Sequence, residues 1–80
     1  MAISLTVLSP EKRLLCCEAD LVEFPGTQGR FVVLPGHDAI ISSLSAGVIR
    51  YSASGEEHTM EIASGFVRLL DDEVTACVEL

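Results

Sequence analysis

The groups in this chain that could do chemistry are two histidines, three cysteines and twelve carboxylates, and their order along the sequence decides what they can do. His37 is followed by Asp38, with Ser42, Ser43 and Ser45 close behind, which is the composition of an acyl-transfer site. A triad, however, needs the carboxylate to accept the imidazole Nδ1 proton. Neighbouring side chains in extended backbone point to opposite faces, so Asp38 cannot easily orient His37. No G-x-S-x-G elbow is present either. His37 therefore reads as a turn histidine bonded to backbone, and His58 as a solvent-facing strand residue. Neither is assigned catalysis.

The cysteines lead to a similar conclusion. Cys16 and Cys17 are adjacent, Cys77 is distant, and three thiols cannot complete a disulfide framework. A bridge between adjacent cysteines closes a strained ring, so the reading is reduced thiols in a reducing compartment, with a vicinal redox switch as the alternative. There is no C-x-x-C pair and no tight histidine spacing, hence no metal site. Gly26, Gly29 and Gly36 invite comparison with a phosphate loop, but no helix start and no G-K-[ST] follow them. They read as turn residues, together with Pro25 and Pro35. The acidic runs Glu56-Glu57 and Asp71-Asp72-Glu73 fall at expected hairpin ends, where they protect edges and keep the chain soluble. No cofactor is expected.

The formal net charge of −7 excludes nucleic acid as a partner, because phosphate binding depends on clustered bases and only five are present: Lys12, Arg13, Arg30, Arg50 and Arg68. It equally disfavours adhesion to anionic lipid and favours a basic protein partner. No apolar run approaches the roughly 18 to 20 residues of a spanning helix. At the amino terminus the charges follow the apolar run, which argues against a secretory signal.

The elements that must position these groups are strands. Turn signals recur about every ten residues: Ser9-Pro10, Pro25-Gly26, Pro35-Gly36, Gly47, Ser54-Gly55, Gly65 and Asp71-Asp72, the mark of an all-β sandwich or barrel. Between them apolar and polar residues alternate, as in Ile3, Leu5 and Val7 or Val74, Ala76 and Val78. The spacing predicts strands at 3 to 8, 12 to 16, 19 to 24, 30 to 34, 40 to 44, 47 to 53, 56 to 63, 65 to 70 and 73 to 79. Ile40, Ile41 and Leu44 also fit a helical turn, but the serines and β-branched residues favour an extended path. Hairpins are expected at Asp71-Asp72 and Ser54-Gly55. Eighty residues form one domain, 1–80, burying a little over about 60% of its unfolded surface.

The order of these segments carries more than each alone. L-T-V-L-S-P-E-K-R-L-L at 5 to 15, A-D-L-V-E-F-P-G-T-Q-G-R-F at 19 to 31, V-L-P-G-H at 33 to 37, S-A-G-V-I-R at 45 to 50 and S-G-F-V-R-L at 64 to 69 closely resemble the amino-terminal domain of the epsilon subunit of rotary ATP synthase. The resemblance covers essentially the whole chain and implies a flattened β-sandwich of about ten short, mostly antiparallel strands. It further implies a non-catalytic rotor subunit that joins gamma to the membrane ring of c subunits and couples proton flow to ATP synthesis. Such a subunit lies peripherally on the cytoplasmic face of a bacterial inner, or equivalent, energy-transducing membrane.

Carried over by position, the resemblance assigns Thr27, Gln28, Arg30 and His37 to the c ring and Ile40, Ile41 and Leu44 to gamma. Pro25, Gly26, Gly29, Pro35 and Gly36 shape the turns between them. The chain departs from the family pattern at Gly29-Arg30-Phe31-Val32, where G-E-F-G is common, and at His37-Asp38-Ala39-Ile40-Ile41, where H-A-P-L-L is usual. The carboxy-terminal helical hairpin of many members has no counterpart in the resemblance, so neither inhibition of hydrolysis nor nucleotide binding is expected. The alternative from another class is a free-standing binding module that uses the turn at 35 to 41.

Overall fold

The computed structural model describes residues 2–80, and strands account for every regular element in them. They are β1 Ile3–Leu8, β2 Arg13–Ala19, β3 Leu21–Gly26, β4 Gly29–Val33, β5 Ile40–Leu44, β6 Gly47–Ala53, β7 Glu56–Ile62, β8 Ser64–Leu70 and β9 Glu73–Glu79. The nine strands match the all-β expectation closely, and β5 is a strand rather than a helical turn. They hydrogen-bond in the order β2-β1-β9-β8-β5-β3-β6-β7, with β4 beside β3. Pairing is antiparallel throughout except for the parallel pair β1 and β9.

The path folds over at one place. β5 and β3 share a single bridge, Gly26 with Leu44. Two further bonds hold this corner: the Thr27 N–H donates to Ser43 O at 3.1 Å and the Ser45 N–H to Pro25 O at 2.8 Å. The corner separates layer one, β2-β1-β9-β8-β5, from layer two, β4-β3-β6-β7. At the open side β2 approaches β6 and closes the sandwich. Crowding at the corner explains Gly47, since a Cβ there would lie 2.9 Å from the Pro25 Cβ.

Alternation puts one residue of every two inside. Ile3, Leu5, Val7, Val67, Leu69, Val74, Ala76 and Val78 of layer one meet Val22, Phe24, Val33, Ile49 and Ile62 of layer two. Phe24 is fully buried, with its ring centroid 5.6 Å from that of Phe31. No polar or charged residue is buried among the described residues, so apolar burial is the main stabilising term. Asp71 and Asp72 adopt φ of 51° and 62°, and Ser54 and Gly55 φ of 53° and 78°, the left-handed pairs that a two-residue hairpin turn requires.

Several turn and boundary expectations need correction. Pro25 and Gly26 belong to β3 and are buried; the turn itself is Thr27-Gln28, closed by the pair Gly26 and Gly29, with Gly29 at φ 125°. Gly47 opens β6 and Gly65 lies in β8, within the strands expected there, and Gly65 is small because a Cβ there would run into the carbonyl oxygen of Cys77. β2 runs on to Ala19, instead of ending at 16, because the whole of β1 offers it partners, up to Ile3 opposite Ala19. The chain then crosses between layers at Asp20, whose N–H donates to Ser52 O at 2.8 Å.

Candidate functional site

The β3–β4 hairpin presents Thr27 and Gln28 at its tip, both exposed. The Thr27 and Ser43 hydroxyls lie 2.7 Å apart, tying the tip to β5. Arg30 follows the tip but is not free. Its Nε donates to Glu23 Oε2 at 3.2 Å and its Nη2 to Val48 O at 2.8 Å, so one guanidinium braces β4, β3 and β6. Glu23 is also 3.6 Å from Arg50. The Arg30 hydrogen bond, reinforced by both guanidinium charges, holds the Glu23 carboxyl below its ordinary range despite an opposing contribution from desolvation.

His37 lies at the other end of β5. The backbone turns at Pro35-Gly36, with the His37 N–H donating to Leu34 O at 3.1 Å and Gly36 at φ 85°. The Gly36 N–H donates to Asp72 Oδ1 at 2.8 Å, which fastens this turn to the β8–β9 hairpin. His37 Nδ1 is 2.8 Å from Asp38 O, so the nitrogen carries the proton and the carbonyl accepts. The Asp38 carboxylate takes no part, and the geometry of a triad is missing. His37 is thus the turn histidine its sequence suggests.

The four residues assigned to one contact therefore do not share one surface. Five strand residues, at about 3.3 Å each, separate the Thr27-Gln28 tip from the His37 turn. The acidic hollow at that turn, about 300 Å³, holds Gly36, His37, Asp38, Asp71 and Asp72. Its Gly36 amide is already committed to Asp72.

The three apolar residues assigned to gamma also divide. Ile41 is 82% exposed, Ile40 is half-buried against the core, and Leu44 is only 3% exposed. Leu44 is a core residue and drops out of the contact set, because strand parity puts Ile40 and Leu44 on the inner face and Ile41 alone on the outer. Beside Ile41 stand exposed apolar residues that sequence reasoning passed over: Phe66 at 58% exposure and Leu70 at 45%, both on β8. The available signal was F-V-R-L-L, a strand apolar on both faces except at Arg68. Two hollows flank these side chains on the outer face of layer one. One, of about 500 Å³, lies between Phe66, Leu8, Pro10 and Cys77. The other, of about 470 Å³, lies between Ile41, Ala39 and Leu70.

Cys16 is exposed and accepts a weak bond from the Thr6 hydroxyl at 3.8 Å, while Cys17 faces the other way. Burial first, and then the neighbouring Cys16, push the Cys17 thiol up, which keeps it protonated and unreactive at neutral pH. His58 is exposed but stacks on Tyr51 across β6 and β7, ring centroids 5.1 Å apart, at the rim of the core side. Among the described residues no group of three or more His, Cys, Asp and Glu could hold a metal ion, and no helix is long and apolar enough to cross a membrane.

The family model for the β-sandwich domain of the ATP synthase delta/epsilon chain matches residues 2–79. The chain belongs to that family. An ATP synthase epsilon chain from Desulfitobacterium hafniense is 42% identical over 72 residues, covering 90% of this chain and 54% of the relative. One from Nitratidesulfovibrio vulgaris is 35% identical over 78 residues, covering 98% and 58%. The chain thus spans somewhat over half the length of these epsilon-chain relatives. Among solved structures, its fold is shared by a chain of the Euglena gracilis mitochondrial ATP synthase OSCP/F1/c-ring assembly, with TM-score 0.89 at 21% identity over 96% of this chain and 50% of that one. A chain of the Tetrahymena thermophila mitochondrial ATP synthase central stalk and c ring gives 0.81 at 14%, covering 100% and 65%.

Proposed function

We propose that this chain is the non-catalytic β-sandwich of an ATP synthase epsilon subunit, and that it couples proton flow to ATP synthesis by joining gamma to the c ring. The observation that carries this reading is the family match over residues 2–79 combined with an exposed apolar face on a chain of net charge −7. Isolated soluble domains seldom leave Ile41, Phe66 and Leu70 together in water, and a lasting interface uses such groups at its centre.

In this reading gamma covers the outer face of layer one, with Ile41, Phe66 and Leu70 at the centre, half-buried Ile40 beneath and the His37 turn at one end. The polar tip, Thr27 and Gln28, meets the c ring, and Arg30 acts as the brace that keeps the tip in place. Ring and shaft then contact one dense sandwich, whose close-packed interior deforms little and transmits torque. The chain works as a peripheral subunit at the cytoplasmic face of the membrane, and it needs no nucleotide or metal.

Purification of the tagged chain from its own host tests the proposal. Gamma and c subunits are expected in the eluate, and their absence at low salt in mild detergent would defeat the rotor reading.

A further inference from the structure

Arg68 stands at the middle of the apolar outer face of layer one. Phe66 and Leu70 flank it on β8, Ile41 is its partner on β5 and Thr75 its partner on β9. Arg30 and Arg50 both lie against Glu23, but Arg68 makes no ion pair and no side-chain hydrogen bond among the described residues. In the free chain water satisfies this exposed guanidinium. When a partner covers the surrounding apolar groups that water is lost, and the one carboxylate that lines the same hollow, Glu73 on β9, makes no ion pair with the guanidinium. An unpaired cation buried in that way opposes binding strongly, so a partner that covers the face must itself bring the acceptor.

The local shape favours a carboxylate. Beside the guanidinium is a hollow of about 80 Å³ lined by Arg68, Leu70, Glu73 and Thr75, where the Thr75 hydroxyl supplies a further donor. A planar guanidinium binds a carboxylate through two parallel N–H donors, and the apolar rim strengthens that pair by excluding water. The remainder of the chain is acidic and repels anions in general, so one basic spot beside Ile41, Phe66 and Leu70 selects for position as well as charge.

We infer that Arg68 is the specificity-determining residue of the docking face and receives an Asp or Glu carboxylate presented by an apolar-flanked segment of the partner. The inference rests on the proposed docking of gamma against this face.

Titration of the full chain with the gamma subunit of its own host, at several salt concentrations, tests it. Arg68→Glu is expected to weaken binding by about 30-fold or more, and Arg68→Gln by less, with a flatter salt dependence. Arg68→Lys places an ammonium where a zero-length carbodiimide couples it to the partner's carboxylate, and mass spectrometry then identifies that residue. Reversing the identified carboxylate to Lys should restore binding to Arg68→Glu. If both Arg68→Glu and Arg68→Gln bind like wild type while Ile41→Asp does not, the docking face stands and the carboxylate inference fails. If Ile41→Asp also binds like wild type, the docking face itself is wrong. Binding lost in Arg68→Glu that no partner reversal restores would make Arg68 a local structural residue and overturn the inference.

Discussion

The two outer faces of the sandwich solve the problem of exposure differently. On layer two, Glu23 lies between Arg30 and Arg50, the outward positions of β7 are Glu57, Thr59 and Glu61, and Val32, 42% exposed, stands opposite Glu23, so an exposed apolar side chain there sits among charges. On layer one, Ile41, Phe66 and Leu70 stand in the open around an arginine that nothing in the chain pairs. The same alternation built both faces, yet one is satisfied by itself and the other only by something else. In the proposed reading that difference separates a solvent face from a docking face.

The largest effect should come from placing charge on the apolar side. Ile41→Asp combined with Phe66→Asp is expected to reduce gamma affinity by about 100-fold or more, in keeping with removal of central anchors. Folding stability should change by no more than about 0.5 kcal/mol per site, because both side chains already face water. A binding titration paired with a thermal melt checks this, and a large fall in Tm with binding intact would reverse the assignment.

Layer two should give the opposite signature. Arg30→Gln removes bonds to Glu23 and Val48 O and is expected to lower Tm by a few degrees while leaving gamma binding unchanged. Loss of c-ring capture in the same variant would show that the brace positions the Thr27-Gln28 tip. Gln28→Ala at the tip itself should weaken ring capture and leave Tm as it was.

A smaller effect is expected from pH. Glu23 has a lowered pKa in the folded chain, so its ionised form is favoured by folding; the resulting stability is complete above its ordinary value of 4.5 and is lost as pH falls through the lowered one. Melts taken from neutral to acid pH should therefore fall more steeply for wild type than for Glu23→Gln below about pH 4.5. Parallel curves would mean that the cluster is decorative. Smallest of all, His37→Ala should leave stability nearly unchanged, since the ring bonds only to the adjacent backbone carbonyl.

Much of the fold was legible in the sequence, because strand alternation and the left-handed pairs Asp71-Asp72 and Ser54-Gly55 are local signals. What was not legible depended on tertiary contact. Pro25-Gly26 carries turn chemistry but lies in a strand, since the corner with Ser45 and Gly47 holds it there. Leu44 was grouped with Ile40 and Ile41 by the resemblance, whereas a strand's period of two splits them between faces. Arg30 was assigned to the c ring by resemblance, and its pairing with Glu23, seven positions away on the facing strand of the hairpin, was not visible in the sequence. The exposed group of Phe66, Arg68 and Leu70 on β8 became visible only through the pairing with Ile41.

The central claim concerns which face is covered, and side-chain hydroxyl-radical footprinting of the chain alone and in complex with gamma reads that directly. The account predicts strong protection of Ile41, Phe66 and Leu70, with Tyr51 and His58 labelled equally in both states. Protection of Tyr51 and His58 with Ile41 and Phe66 unchanged would contradict it.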